Sequence, residues 1–273
     1  MPMTIVLIII LVLLMTSPNI VAYEVMNATV LWFTVLIPTM FPSFVTIDLI
    51  ENMPLVKKIS IWVYPVFKKI FKINSPKSAF IILLSFLCGA PASTKMIQNS
   101  LENHQISEKE AQNLICAFST LSMPYTLMIC RTNHISALLY YLLFLILAIL
   151  WMQLTNKKED ITYHDSSLKT AYLKCFLNSI HKNTLILVNI LGILILFKVL
   201  MGLLFKNEPI FYPYFEILGG LSKTNHKLIV LTSLGFLGFS VHLQIYSIFE
   251  TLKYRKFLFS RIYFSLLGLL FFL

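Results

Sequence analysis

Charge is what this sequence has least of. Asp, Glu, Lys and Arg make up 12% of its 273 residues, and only 12 residues are acidic. A soluble domain carries about 25% charged residues, so this chain has too little polar surface to face water on all sides. Cysteine is also scarce: Cys88, Cys116, Cys130 and Cys175 are the full set. They form no CxxC pair, and all but Cys175 lie inside apolar runs. That pattern fits small core side chains and excludes a disulfide framework or a zinc ribbon. His104 and His134 lack partners at metal-ligand spacing. No Walker loop, no dinucleotide-binding glycine pattern and no catalytic triad is present. Nothing in the sequence therefore calls for an enzyme, a bound metal or a cofactor.

What is there is apolar. Hydrophobic residues account for 58% of the chain, with 22 Phe and 12 Tyr, a composition suited to lipid contact and interfacial belts. The net charge of +10 comes from Lys and Arg lying mostly between apolar runs. This is the positive-inside pattern of membrane loops rather than a nucleic-acid footprint. The expected fold class is an all-α polytopic protein of the cell membrane, with roughly seven to nine membrane segments.

Clear candidate spans are 3–22, 29–50, 134–154, 183–205 and 257–273, each near the roughly 20 residues a crossing needs. The run Met3 to Met15 has no Lys or Arg before it, and Ile20-Val21-Ala22 is a poor cleavage site. It reads as a first membrane helix rather than a signal peptide. Three further apolar stretches are interrupted: 78–98 at Gly89-Ala90-Pro91, 111–130 near Ser122-Met123-Pro124, and 228–249 around Gly235 and Gly238. Segment 209–222 is too short to span. The basic segments 51–77, 155–182 and 251–261 are expected on the cytoplasmic side. Segments 23–27, with Glu24, and 206–208, with Lys206 and Glu208, are expected outside. Three complete crossings between 77 and 155 would put those positions on opposite faces. One of the two broken segments between them should therefore enter and leave on the same side, a backbone form tolerated only where protein or a wet cavity surrounds it. Stretch 57–73 mixes apolar residues with four lysines and suits either a helix lying in the headgroup plane or a basic loop ending in a short span.

The chain divides into 1–154, a first repeat with a leading helix; 155–182, a linker; and 183–273, a second repeat. Each repeat pairs an aromatic-proline break, Phe41-Pro42-Ser43-Phe44 or Tyr212-Pro213-Tyr214-Phe215, with a later glycine break. The glycine breaks run Gly89-Ala90-Pro91-Ala92-Ser93-Thr94-Lys95 and Gly238-Phe239-Ser240-Val241-His242-Leu243-Gln244. Paired interrupted segments in two halves point to a transporter site near the bilayer midplane.

These residues resemble the YlbJ-type sporulation integral membrane proteins, relatives of the nucleoside-recognition gate-domain proteins. The resemblance runs through nearly the whole chain in order. Phe41-Pro42-Ser43-Phe44 is similar to the family's Phe-Pro-Phe hairpin, and Gly89-x-Pro91-x-x-x-Lys95 to its Gly-x-Pro-x-Gly-Ala-Lys signature. Ser107-Glu108-x-Glu110-Ala111 with Ser122-x-Pro124 resembles the approach to its Asn-Asn-Ser-Gly-Pro break. Glu216 with Gly219 resembles a Glu-x-x-x-Gly turn. Ser240-Val241-His242-x-Gln244 is the most specific likeness, to Gly-Leu-Ser-Val-His-x-Gln, and Arg261 follows at the family's usual distance. Ser93-Thr94, Thr120-Leu121 and Met123 depart from the family's Gly-Ala, Asn-Asn and Gly. The resemblance implies a role in spore formation, in the mother-cell or outer forespore membrane, with a dipicolinate-like dicarboxylate as a natural solute.

Helix N-termini expose unpaired N–H groups and the positive end of the macrodipole, so both glycine breaks are ready anion sites. A charge inside the membrane costs roughly 2.5–3.5 kcal/mol on insertion scales. Lys95 should therefore pair with an anionic solute or an acid such as Glu216, unless it snorkels. His242 can donate to a carboxylate, relay a proton or bond across helices. Ser240 and Gln244 share its face as ligands or as interhelical glue. Asp48 and Glu51 read as interfacial acids, and Lys198 as a snorkelling residue. The expected substrate-binding set is Gly89, Pro91, Ser93, Thr94, Lys95, Ser122, Pro124, Glu216, Gly238, Ser240, His242 and Gln244. The expected partners are the lipid bilayer and a small organic anion, with a homo-oligomer or partner membrane proteins compatible with the sequence, and no nucleic acid. A non-transporting sporulation scaffold and a nucleoside transporter are the rival readings.

Overall fold

The computed structural model describes residues 2–51, 53–122, 126, 134–156, 172–206, 208–221, 223–224 and 226–266. Among these residues the regular structure is all helical. Helix α1 (Pro2–Thr16) is followed by one rod of 34 residues, Pro18–Glu51. The rod comprises α2 (Pro18–Leu31), a π-helical turn (Trp32–Leu36) and α3 (Ile37–Glu51). This corrects the expected spans 3–22 and 29–50 with a loop at 23–27. The interruption falls at Ser17 instead, because Pro18 disfavours helical geometry in the residue before it, and Ser17 has φ −129°. No Gly or Pro lies between Pro18 and Pro38 to stop the next helix. Glu24 and Ala28, one turn apart, are both buried. Pro42 sits inside α3 without ending it, so Phe41-Pro42-Ser43-Phe44 is not a break.

Helices α4 (Pro54–Phe71) and α5 (Pro76–Cys88) meet at 83°. Lys72, at φ 52°, turns the corner, and the Ser75 hydroxyl caps α5 by accepting from the Lys77 N–H. Stretch 57–71 is thus helix rather than loop. Helix α4 turns Val56, Ser60 and Phe71 inward and exposes an apolar stripe of Leu55, Ile59, Trp62 and Val66, with exposed lysines 58 and 69 beside the stripe and 57 and 68 farther round.

The remaining helices are α6 (Ala92–Glu102), α7 (Glu108–Phe118), α8 (His134–Thr155), α9 (Tyr172–Phe205), α10 (Tyr212–Phe215), α11 (Ile217–Gly220), α12 (Lys227–Phe236), α13 (Gly238–Ile248) and α14 (Tyr254–Ser265). Of segment 155–182, residues 157–171 lie outside the described residues, and 172–182 form the start of α9. Of the expected span 257–273, residues 267–273 also lie outside them. Helix α9, 34 residues long, lies along α2 and α3. Near the middle of both rods the Trp32 Nε1–H donates to the Leu187 carbonyl at 2.9 Å. Four helices among the described residues are long and apolar enough to cross a membrane: Pro18–Glu51, Leu138–Thr155, Leu173–Phe205 and Lys227–Ile248. The bent α4–α5 pair passes the same test as a fifth.

Helices α5 and α6 form a hairpin. Lys77, at the start of α5, pairs with the Glu51 carboxylate at 3.4 Å, and Asn99, late in α6, donates to the same carboxylate at 3.3 Å. The two arms therefore begin and end at one face, with Gly89–Pro91 at the tip. At 1.5 Å per residue, the 13-residue α5 carries that tip about 20 Å inward. Helix α7 rises beside it, its Glu110 carboxylate accepting from the Asn74 N–H at 2.9 Å. Residues from or beside the three basic segments gather at this end. The Lys72 ammonium donates to the Gln153 carbonyl, Gln112 holds Thr251 and Lys253, and Lys256 donates to Asn113.

Candidate functional site

The hairpin tip needs a glycine for two reasons. Gly89 has φ +65°, and a Cβ there would stand 2.3 Å from the Ser122 nitrogen. The Ala90 N–H donates to the Thr120 carbonyl at 2.6 Å. The tip is therefore docked on the chain leaving α7, and Ser122 belongs to that contact. Pro124 lies outside the described residues. Pro91 leads into α6, whose first turn holds Ser93, Thr94 and Lys95, all buried.

The second break is built differently. Leu237 (φ 76°) and Gly238 (φ 69°) separate α12 from α13 without folding them into a hairpin, since Lys227–Ile248 passes as one span. A Cβ on Gly238 would meet the Pro213 carbonyl at 3.1 Å and the Ile217 nitrogen at 3.2 Å. This break thus rests on the Tyr212–Ile217 segment, in which Pro213 opens one helical turn and the extended backbone of Glu216 ends it. His242 is committed to holding the break together. Its Nε2 lies 2.7 Å from the Phe236 carbonyl and its Nδ1 3.3 Å from the Tyr254 hydroxyl, inside a ring of Phe236, Phe239 and Phe257. In an unbroken helix that carbonyl would take the Ser240 N–H.

Helices α6 and α13 pack against each other. Thr94 is the third residue of α6 and Ser240 the third of α13, and neither N-terminus has a side-chain cap. The hydroxyls of Thr94 and Ser240 and both polar atoms of the Gln244 carboxamide are buried without a hydrogen-bond partner among the described residues.

Lys95 is held by Asp48, not by Glu216. Its ammonium donates to Asp48 Oδ2 and to Asn183 Oδ1, each at 2.5 Å. The Ser179 hydroxyl (2.5 Å) and the Asn183 Nδ2 (3.0 Å) donate to the same Oδ2, and Asn99 reaches Oδ1 at 3.4 Å. Asp48 and Glu51, expected to be bland interfacial acids, thus tie α3 to α5, α6 and α9.

A second group of charges gathers at the other end of the rod. Glu216 is fully buried and caps α11, its carboxylate accepting from the N–H groups of Leu218 (2.8 Å) and Gly219 (2.7 Å). Lys198 is also buried and does not snorkel outward as expected. Its Nζ and Glu216 Oε2 would stand 3.1 and 2.7 Å from a Cβ at Gly219. Gly202, one turn on, leaves room for Glu24, whose Cγ would be 2.8 Å from an added Cβ. Lys223 lies over the Tyr212 ring at 4.1 Å. Burial holds its ammonium below the usual lysine range, against the pull of Glu24. A cavity of about 450 Å³, lined in part by Lys223, Thr224, His226 and Lys227, opens beside it. Positions 24 and 48 of the rod are about 36 Å apart at 1.5 Å per residue, so the two ionic groups stand at opposite ends.

Arg261 is fully buried. Its guanidinium donates to the Cys116 and Ser119 carbonyls, at the C-terminal end of α7, and lies between the rings of Phe257 and Phe264. It caps a helix C-terminus, where a cation is favourable. Ser179 and Asn183 were not among the expected residues, Asp48 and Lys198 were expected only as interfacial and snorkelling charges, and Arg261 only through the resemblance and the basic segment 251–261. The available signal was polar and small residues at i, i+4 inside apolar helices, as in Ser179 with Asn183 and Lys198 with Gly202. No family model matches the chain, nor does any curated protein or any solved structure.

Proposed function

We propose that the chain is a membrane transport protein of the secondary type that moves a small organic anion through the junction of α6 and α13. The observation that carries this reading is the set of uncommitted polar groups on those two helices: the Thr94 and Ser240 hydroxyls and the Gln244 carboxamide, all buried. Burying such a group without a partner costs about 1–3 kcal/mol each by protein mutational data, a cost a polar solute would remove. The two interrupted units, around Gly89 and around Gly238, serve as the paired half-helix elements of such a site.

The charge balance sets the class of solute. Lys95 is neutralised by Asp48. The two uncapped helix N-termini offer about half a positive charge each. Together they match one carboxylate, with the hydroxyls and the carboxamide left to bind hydroxyl or amide groups on the same solute. A small hydroxylated monocarboxylate fits this set while Asp48 neutralises Lys95.

The test is uptake of radiolabelled lactate, gluconate, a dicarboxylate and a nucleoside by proteoliposomes, with Gln244→Leu and Thr94→Val beside the parent. Saturable uptake of a monocarboxylate that both substitutions abolish, in protein that stays folded, is the expected result. Uptake that ignores both substitutions, or that no probe shows, removes the reading.

A further inference from the structure

The Asp48–Lys95 pair is built in a way the solute site alone does not require. Asp48 receives donors from Lys95, Ser179, Asn183 and Asn99. Three of these donors converge on Oδ2 and the fourth, Asn99, reaches Oδ1. A proton can take the place of the ammonium on Oδ2. Lys95 has a second acceptor already in place, Asn183 Oδ1, so it stays solvated by protein when the pair opens. It also directly follows Thr94, one of the uncommitted groups on α6.

We propose that Asp48 is the proton site of a proton–anion symport. A proton binds the Asp48 carboxylate and breaks its ion pair with Lys95, whose ammonium then pairs with the carboxylate of the incoming solute. One O–H bond forms at Asp48 as one O–H bond of the hydronium ion that delivers the proton breaks, and proton plus monoanion add no net charge. This inference rests on the transport reading and names its coupling ion. The charged groups facing the pair are Glu51 on its own helix, Lys77 on α5 and Lys182 on α9. Glu51 is already held by Lys77 and Asn99.

Two measurements test it. Because the exchange is electroneutral, an inward proton gradient should drive lactate or gluconate accumulation up to about tenfold per pH unit, and a potassium diffusion potential should drive none. Protein-free vesicles correct for leakage of the neutral acid. In detergent, binding of the same probes should tighten by up to about tenfold per pH unit on acidification. Asp48→Asn should abolish the pH dependence of both. The neutral pair Asp48→Asn with Lys95→Gln, which buries no lone charge, should do the same and guards against misfolding of the single variant. Uptake driven by potential rather than by pH, or accumulation that survives Asp48→Asn, overturns the coupling and leaves the transport reading standing. Absence of uptake for both probes by folded protein removes the transport reading and the coupling together.

Discussion

The docked hairpin tip gives the sharpest structural prediction, because one substitution tests it and another serves as its control. Gly89→Ala places a methyl group 2.3 Å from the Ser122 nitrogen and 2.8 Å from the Leu121 carbonyl carbon and Ser122 Cα. All three are backbone atoms and cannot swing aside as a flexible side chain would. Backbone at φ 65° and ψ −177° is essentially reserved for glycine and costs another residue about 1–3 kcal/mol, and overpacking adds about 1–3 kcal/mol. The expected loss is therefore about 2–6 kcal/mol. Gly192, within α9, has nothing within 4 Å of an added Cβ. There the same change should gain about 0.5–1 kcal/mol from helix propensity. Denaturant-induced unfolding of both variants in detergent, followed by tryptophan fluorescence, measures the difference. If Gly89→Ala unfolds within about 0.5 kcal/mol of the parent, the tip does not rest on the chain after α7, and the hairpin argument fails with it.

Other substitutions separate roles that look alike in sequence. Arg261→Lys keeps the charge but loses the fork that reaches both carbonyls of α7. A loss of about 1.5–3 kcal/mol in the same unfolding assay is expected, and no loss would deny the cap. Lys95→Met alone strands a buried carboxylate and should cost about 3–5 kcal/mol, whereas pairing it with Asp48→Leu should recover much of that. A double variant no more stable than the single one would mean the two residues do not interact. Gln244→Leu removes an unpartnered buried carboxamide, so its unfolding free energy should rise by about 1 kcal/mol while uptake disappears. A fall in stability would show that the carboxamide has a structural partner.

Much of the architecture could be read from the sequence, and the parts that could not have a physical cause. The shortage of charge and the long apolar runs indicated membrane-capable helices. The glycine at 89 and the glycine at 238 marked real breaks, because both adopt positive φ. The parity of the basic segments called for a stretch returning to its own face; the α5–α6 hairpin has both arms tied to Glu51, and residues 123–125 and 127–133 of the other candidate lie outside the described residues. The aromatic-proline repeat misled, since proline marks only a missing N–H and a steric preference. At Pro42 the helix runs through, in a rod packed against α9. At Pro213 a short segment ends at Glu216, whose extended backbone and capping carboxylate start a new turn. The partner of Lys95 was illegible because it lies 47 positions away on another helix, and nothing local to either residue encodes that meeting. The capping role of Arg261 was illegible for a related reason: its acceptors belong to the end of α7, far back in the chain.

The hydrogen bond from Trp32 to Leu187 has a mechanical meaning. It joins two 34-residue rods close to their midpoints, while their ionic contacts lie toward the two ends. Asp48 meets Ser179 and Asn183 toward one end and Glu24 packs on Gly202 toward the other, so the rods are pinned at three points and cannot slide along each other without releasing at least one of them. The π-helical turn at Trp32–Leu36 lies beside the central pin, and Trp32→Phe would leave the two end contacts alone to set the register.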